Sequence, residues 1–144
     1  MLRPEAVRQR LLRLETVVSQ LEELARLPVE ALRSGFRDAW AVERGLQLAA
    51  EILFDVGNHV LSAHFGVSTK DYEDILVQLG RVGVIAPSLA ERLKGLGGFR
   101  NLLVHDYLEL DRERVLDGLE RAPTDFTEFA LAVRRWLDRD EAAP

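Results

Sequence analysis

The sequence predicts an all-α protein, an antiparallel helical bundle of five to six helices with two long ones. Apolar residues recur at three- and four-residue intervals along most of the chain. Glycines, prolines and capping residues separate these periodic stretches, and no stretch has the two-residue alternation of a half-buried strand. The length of 144 residues is that of one domain, so we expect residues 1–144 to form a single helical domain.

The first two helices are predicted from their apolar stripes and their ends. One begins at Pro4, a residue that suits the first turn of a helix, and ends near Leu27. A longer helix spans about residues 29–65 and ends at Gly66, because glycine is favoured just past a helix end.

Two capping boxes, each a Ser followed three residues later by an acid, open shorter helices. They lie at residues 68–71 and 88–91. The glycine pair at 97–98 should interrupt or kink the second of these helices, with helical pattern resuming over residues 99–108.

The C-terminal part of the chain is predicted as two further helices. Asp111 is a candidate N-cap for the first, and the Pro123–Asp125 segment should separate it from the last one, which begins near Phe126. We expect residues 138–144 to be frayed.

The composition excludes several classes of protein. The hydrophobic share of 47% is too high for a disordered chain, and the charged share of 30% is too high for a membrane protein. No apolar run approaches the ~20 residues of a membrane span, and the N-terminus lacks a signal-peptide pattern, so we expect a cytoplasmic protein without membrane contact.

The chain has no Cys, which excludes disulfides, thiolate catalysis and Cys-ligated zinc. The net charge of −5 argues against coating nucleic acid by bulk charge.

A line of polar side chains follows one face of the long second helix. This polar line could hold a cation, but such a line is more often a solvated face or part of an interface. No His pair has metalloprotease spacing, so we predict neither a metal nor a cofactor. His59 and His64 lie near the helix end, where a cationic imidazole suits the helix dipole. The members of the polar line are Glu43, Gln47, Glu51 and Asp55.

Residues 99–107 hold the strongest candidate for chemistry, because Arg100, Asn101, His105 and Tyr107 lie close together there. An imidazole can move a proton from or to an RNA 2′-hydroxyl or a leaving 5′-oxygen. A guanidinium can stabilise charge on phosphoryl oxygens, and neither step needs a metal. In a plainer interpretation, Arg100 pairs with an acid and Tyr107 is buried with its hydroxyl satisfied.

Helical geometry does not by itself bring the two candidate catalytic side chains together. On a regular helix Asn101 and His105 share one face and Arg100 and Tyr107 share another, but Arg100 and His105 are about 140° apart. Three solutions remain: the long Arg side chain reaches around, the helix deforms near the glycine pair, or a second copy of the chain completes the site.

The spacing Arg100-x4-His105-x-Tyr107 resembles the R-x4-H-x-Y signature of the HEPN superfamily, and in particular its small, stand-alone HepT-like branch. The resemblance covers nearly the whole chain. Its other elements are the "ER-x-x-Q" patch, an Asn-His pair, the "G-F-R-N" lead-in and a downstream acid, seen here as Glu43-Arg44…Gln47, Asn58-His59, Gly98-Phe99-Arg100-Asn101 and Asp111.

This resemblance implies a toxin of the HepT/MntA (type VII) toxin–antitoxin systems, acting as a metal-independent endoribonuclease. Arg100 and His105 would be catalytic and Asn101 would assist them. The resemblance further implies a homodimer with the site at the dimer cleft, an RNA substrate, and a minimal nucleotidyltransferase (MntA-like) antitoxin. That antitoxin would add AMP to Tyr107, which places bulk and negative charge where RNA phosphate must bind.

Two other functions remain open at the level of sequence. One is a non-catalytic nucleotide- or substrate-binding subunit of a nucleotidyltransferase, and the other is a purely structural dimerisation bundle. The intact motif favours the nuclease, whereas the acidic net charge favours the alternatives, because free RNA binders are usually basic. For a nuclease of this charge we expect weak, salt-sensitive RNA affinity.

Overall fold

In a computed structural model that describes all of residues 1–144, the chain forms α-helices and one 3₁₀ turn, without strands. The all-α bundle predicted from the sequence is confirmed. That residues 1–144 act as one domain stays a prediction. The helices are α1 (Pro4–Ala25), α2 (Val29–Ser34), α3 (Phe36–Phe65), α4 (Tyr72–Arg81), α5 (Pro87–Leu93), α6 (Leu96–Val104) and α7 (Arg112–Ala142), and the 3₁₀ turn is Tyr107–Glu109.

The three longest helices, α1, α3 and α7, form the centre of the bundle. Ion pairs from Arg8 to Asp138 and from Arg134 to Glu15 show that α1 runs antiparallel to α7. One apolar cluster of 33 buried residues, with members from every α-helix, fills the interior. The four shorter helices pack around this centre, and α6 lies against both α3 and α4.

The predicted second helix is divided in two, because Gly35 is in an extended conformation (φ −85°, ψ 114°) between α2 and α3. Its N–H still closes the end of α2 on the Ala31 carbonyl at 3.0 Å. The end of α3 is as predicted: Gly66 adopts φ 65°, which glycine reaches without steric cost.

The prediction of a break at Pro123 is wrong, since α7 continues through it for 31 residues. Phe126 and Phe129, in the turns that follow, are buried in the core, and this packing offsets the backbone hydrogen bond that the proline cannot donate. The bundle therefore has three long helices, where the sequence indicated two.

The C-terminal segment is also more ordered than predicted. The helix extends to Ala142, because Arg8 bonds both Asp138 and Glu141 at 3.0 Å. The His64 imidazole lies 3.5 Å from the Asp140 carboxylate and adds a further contact from α3.

Of the predicted N-caps, one is as expected and two are displaced. Asp111 caps α7 by accepting the Glu113 N–H at 3.0 Å. The cap of α4 is Asp71 itself, the acid of the predicted box, which accepts the Asp74 N–H at 2.8 Å. In α5 the first helical residue is Pro87, so Ser88 lies inside the helix and cannot be its N-cap.

None of these helices is both long and apolar enough to span a membrane.

Candidate active site

The helix that carries the candidate site, α6, begins at Leu96. Gly95, with φ 95°, separates it from α5, so the predicted break at residues 97–98 lies two residues too late. The Glu73 carboxylate on α4 accepts the Gly95 N–H at 3.1 Å and the Gly97 N–H at 2.6 Å. A carboxylate at this end is favoured by the helix dipole, so α4 holds the start of α6 in place.

The opposite face of α6 is anchored by Phe99, which is buried against α3 and α7. A methyl group at Gly118 on α7 would lie 3.2 Å from the Phe99 ring, so only glycine allows this close approach without displacement. The Arg114 guanidinium covers the ring at 5.5 Å from its centroid. With Phe99 and Glu73 both engaged, the orientation of the next residue, Arg100, is constrained.

Arg100 is directed toward α3 and α4 and is held by three contacts. Its Nη2 donates to Glu51 Oε1 at 2.9 Å, and its Nη1 donates to Asn101 Oδ1 at 3.3 Å. The guanidinium lies over the Tyr72 ring, 4.6 Å from the centroid. The side chain is 13% exposed, and the expectation that Arg100 pairs with an acid is confirmed.

These contacts fix the guanidinium without exhausting it. An Arg side chain has five N–H donors, of which two are used here. The other three have no partner within the chain, and the tyrosine face adds a cation–π interaction that limits rotation. The guanidinium is therefore held in one orientation with unused donors.

The second half of the motif lies outside the helix, because α6 ends at Val104 and not near Leu108 as predicted. The Asn101 carbonyl accepts the N–H of His105 at 2.8 Å and that of Asp106 at 3.3 Å, which closes the helix. His105 is thus the C-cap of α6, and because its N–H still makes the helical bond to the residue four positions earlier, its backbone position continues the helix and stays about 140° from that of Arg100.

Residues 105–109 form an exposed segment between α6 and α7. Tyr107 is 72% exposed, so the interpretation that buries it is wrong. No hydrogen bond or ion pair engages the His105 side chain, and none joins it to Arg100. The structure thus joins Arg100 and Asn101 by a hydrogen bond and leaves the side chains of His105 and Tyr107 exposed in the segment that follows α6.

Two members of the polar line on α3 form ion pairs with other helices. Glu43 binds Arg112 of α7 at 3.0 Å, and Glu51 binds Arg100 of α6, while Gln47 between them is half-buried. No group of three or more His, Asp or Glu side chains is arranged as metal ligands. Two of the four members of the line therefore form interhelical ion pairs.

Asp55, the last member of the polar line, has a raised pKa. Desolvation is the main cause and the neighbouring Glu51 carboxylate adds to it, whereas Arg10 and Arg100 act in the opposite direction. Asp55 thus lies within the electrostatic range of two guanidinium groups on different helices.

The expectation of a cationic His59 is wrong. Its Nε2 accepts the backbone N–H of Arg3 at 3.1 Å, which requires an unprotonated nitrogen. Burial, followed by the positive charges of Arg3, the N-terminal amino group and Arg10, lowers the pKa of His59. His64 packs its ring against Trp136 at 4.9 Å and faces Asp140 on α7.

Residues 14–133 match the family model described as ribonuclease HepT-like. The chain belongs to the ribonuclease HepT-like family. The tRNA nuclease HepT of Aphanizomenon flos-aquae is 25% identical over 135 residues, which cover 93% of this chain and 91% of that protein. The mRNA nuclease HepT of Shewanella oneidensis is 30% identical over 89 residues, 62% of this chain and 67% of that protein.

Solved structures of HepT-like proteins share the fold. A variant of the MntA-HpeT toxin–antitoxin complex matches with a TM-score of 0.79 and 21% identity, over 91% of this chain and 98% of that one. The tri-AMPylated Shewanella oneidensis HEPN toxin in complex with MNT antitoxin matches with a TM-score of 0.75 and 22% identity, over 92% and 96%. At this identity the likeness establishes the fold of the bundle.

Two residues that position the site in this HepT-like chain were not predicted. Tyr72 reads as one more apolar residue of α4, and Glu73 as an ordinary acid beside it. Their partners Arg100 and Gly95 are more than twenty residues away in the chain. The one available signal was the aromatic-acid pair just after a helix N-cap, which is too common to single out.

Proposed function

We propose that this protein is the toxin of a toxin–antitoxin pair and acts in the cytoplasm as a metal-independent endoribonuclease. The observation that carries the proposal is the Arg100 guanidinium, held by Glu51 and Tyr72, together with an unengaged, exposed His105 five residues further along the chain. Membership of the ribonuclease HepT-like family and relatives named as a tRNA nuclease and an mRNA nuclease support it.

The proposed reaction is an internal transfer at a phosphodiester. The RNA 2′-oxygen attacks phosphorus while an imidazole takes its proton, and the bond to the 5′-oxygen breaks as that oxygen receives a proton. His105 is the proton-transfer group, and Arg100 stabilises the charge that develops on the phosphoryl oxygens. Asn101 assists by holding the second edge of the guanidinium.

We propose a homodimer in which two copies of the motif face one cleft. The reaction needs both a base and an acid, and each chain supplies one imidazole from the motif. Two copies of His105 can fill the two roles, and two copies of Arg100 meet the same phosphate. The exposed position of His105, outside α6, leaves the imidazole accessible to a facing chain.

The proposed partner is a minimal, MntA-like nucleotidyltransferase antitoxin that adds AMP to Tyr107. The 72% exposure of this side chain makes its hydroxyl accessible to another enzyme. An AMP group two residues from His105 would add negative charge and bulk at the place proposed for the RNA phosphate, and so block cleavage.

The test combines Arg100→Ala and His105→Ala with an RNA cleavage assay in excess EDTA. Wild type should cleave and should arrest growth on expression. Each variant should lose both properties while keeping its helical circular dichroism. Arg135→Ala, an exposed Arg of α7, is the matched control and should behave as wild type.

Two outcomes would contradict the proposal. Full toxicity in both variants would remove Arg100 and His105 from the chemistry, and strict dependence on added metal would exclude the metal-free mechanism. An inert wild-type protein that nevertheless binds the nucleotidyltransferase and nucleotide would favour the alternative, a non-catalytic binding subunit.

A further inference from the structure

A polar cavity of about 260 Å³ lies between the first turns of α1 and the C-terminal half of α3. The function proposed above assigns no role to it. Its polar lining is contributed by Arg3, Arg10, Asp55, Asn58, His59 and Ser62.

The two guanidinium groups at this cavity have no carboxylate partner within ion-pair distance. The Arg10 Nη1 donates to the Ala6 carbonyl at 3.1 Å, and Arg3 bonds His59 through its backbone N–H, not through its side chain. Most of the donors of Arg3 and Arg10 are therefore free. This is notable in an acidic chain whose other site arginine, Arg100, is neutralised by a Glu.

The remaining groups suit an anion as well. His59 is held neutral by the hydrogen bond that its Nε2 accepts, so its other ring nitrogen is an N–H donor. Asn58 and Ser62 add an amide and a hydroxyl at the same rim. The single carboxylate, Asp55, lies one helical turn after Glu51 on α3, and Glu51 binds Arg100, which places the cavity next to the candidate active site.

The spacing along α3 relates the cavity to the site. Glu51 holds Arg100, and Asn58 lies seven residues further along the helix, about 10 Å at ~1.5 Å per residue. A nucleic-acid strand advances at least ~3.4 Å per nucleotide, the value for a stacked double helix, so this distance corresponds to at most about three nucleotides.

We propose that this cavity is a phosphate-binding subsite for the RNA substrate, in which Arg3 and Arg10 hold a backbone phosphate within about three nucleotides of the scissile one at Arg100. This inference rests on the proposed nuclease function and deepens it. We expect the subsite to contact the backbone, because guanidinium, imidazole N–H and hydroxyl groups are all donors and every nucleotide offers phosphate oxygens as acceptors. It also explains how an acidic protein can orient a long RNA.

The experiment measures RNA binding by fluorescence anisotropy in a His105→Ala background, which prevents cleavage. The probes are a fluorescein-labelled single-stranded RNA octanucleotide and a labelled dinucleotide, each over a series of KCl concentrations. Arg3→Ala/Arg10→Ala should bind the octanucleotide at least about tenfold more weakly. The slope of log K against log salt should become shallower by about 1.4, since each contact to single-stranded phosphate contributes about 0.7.

Three controls make the result specific. Arg26→Ala, an exposed Arg at the other end of α1, should match the parent in affinity and slope. The dinucleotide is too short to reach the cavity, so the double Ala variant should bind it as the parent does. Arg3→Lys/Arg10→Lys keeps the charge and should retain most of the salt slope, which separates loss of phosphate contacts from loss of structure.

An octanucleotide affinity and slope equal to those of Arg26→Ala would overturn the subsite while leaving the proposed nuclease intact. Equal weakening of octanucleotide and dinucleotide would also overturn it, because the effect would then lie at the cleavage site. A parent protein that does not bind RNA, with a wild type that does not cleave it, would overturn both proposals.

Discussion

The Arg100 guanidinium is held in one orientation, but several of its hydrogen-bond donors have no partner. Glu51 and Tyr72 fix the guanidinium in one orientation, while three of its five donors have no partner within the chain. Glu51 therefore has two opposing effects in the proposed reaction: it positions Arg100, and it competes with phosphate for the same cation.

Replacing Glu51 by Gln separates these two effects. Without the carboxylate, Arg100 is more available to the RNA phosphate but less well oriented for the transition state. Steady-state kinetics should therefore give a lower KM together with a kcat reduced about tenfold, the result of losing ~1.4 kcal/mol of transition-state stabilisation.

Glu43→Gln is the matched control, because Glu43 lies on the same helix as Glu51 and forms an equivalent 3.0 Å ion pair with Arg112 of α7. It should leave both kinetic constants unchanged. A Glu51→Gln variant with unchanged kcat would mean that the ion pair does not position Arg100.

Tyr107 is the second residue whose environment bears on the proposal, because 72% of it is exposed. Tyr107→Phe should still cleave RNA but should escape neutralisation, since it lacks the hydroxyl that accepts AMP. Growth on co-expression with the antitoxin and mass spectrometry of the purified toxin would measure this.

The chain contains two tyrosines, and the other, Tyr72, lies under Arg100 and is half-buried. Tyr72→Phe should still gain the mass of AMP. Equal modification of the Tyr107→Phe variant would assign the adduct to another residue.

At the level of elements, α6 is the part that positions the site, and its glycine pair provides a direct test. A methyl group at Gly97 would lie 2.9 Å from the backbone nitrogen of Glu73, whereas one at Gly98 would meet nothing within 4 Å. The close approach of α4 therefore requires a glycine at position 97, whereas no neighbouring atom requires one at position 98.

Gly97→Ala should lower the free energy of unfolding by about 1–3 kcal/mol, because α4 and α6 must separate. Gly98→Ala should instead raise it by up to about 1 kcal/mol through helix propensity. Urea unfolding of both variants measures the difference, and equal effects of the two substitutions would contradict the close α4–α6 contact.

Element ends differ in how well the sequence predicts them. Gly66 and Asp111 terminate and begin their helices through local geometry, so local signals suffice. Pro123 is overridden because the core packing of Phe126 and Phe129 outweighs one missing hydrogen bond. The end of α6 at Val104 has no glycine or proline to announce it.

At the level of the whole molecule, the net charge of −5 coexists with a cluster of free guanidinium groups at one end of α1 and α3. Broad coating of RNA is excluded by the overall charge, and RNA affinity should be weak and salt-sensitive. RNA binding then depends on a few arginines at defined positions, and a dimer would have twice as many of them.

The proposed dimer predicts complementation between inactive variants. Arg100→Ala and His105→Ala should each be inactive alone. A mixed dimer, co-expressed and purified through two different affinity tags, contains one intact Arg100 and one intact His105. It should recover a small part of the cleavage activity, with the single imidazole in one of its two roles and water in the other. A dimer of wild type with His105→Ala also has a single His105 and is the control: if it cleaves RNA and the verified mixed dimer does not, Arg100 and His105 must come from the same chain.

The sequence by itself determined the all-α class, since apolar periodicity follows from burial of one helix face, and it singled out Arg100, Asn101, His105 and Tyr107 as candidates through their spacing. Only the tertiary structure decided that Glu51 and Tyr72 clamp Arg100, that α6 ends before His105, and that Arg3 and Arg10 share a cavity with His59. These features depend on contacts between residues far apart in the chain, such as the 49 positions between Glu51 and Arg100, which no local pattern encodes.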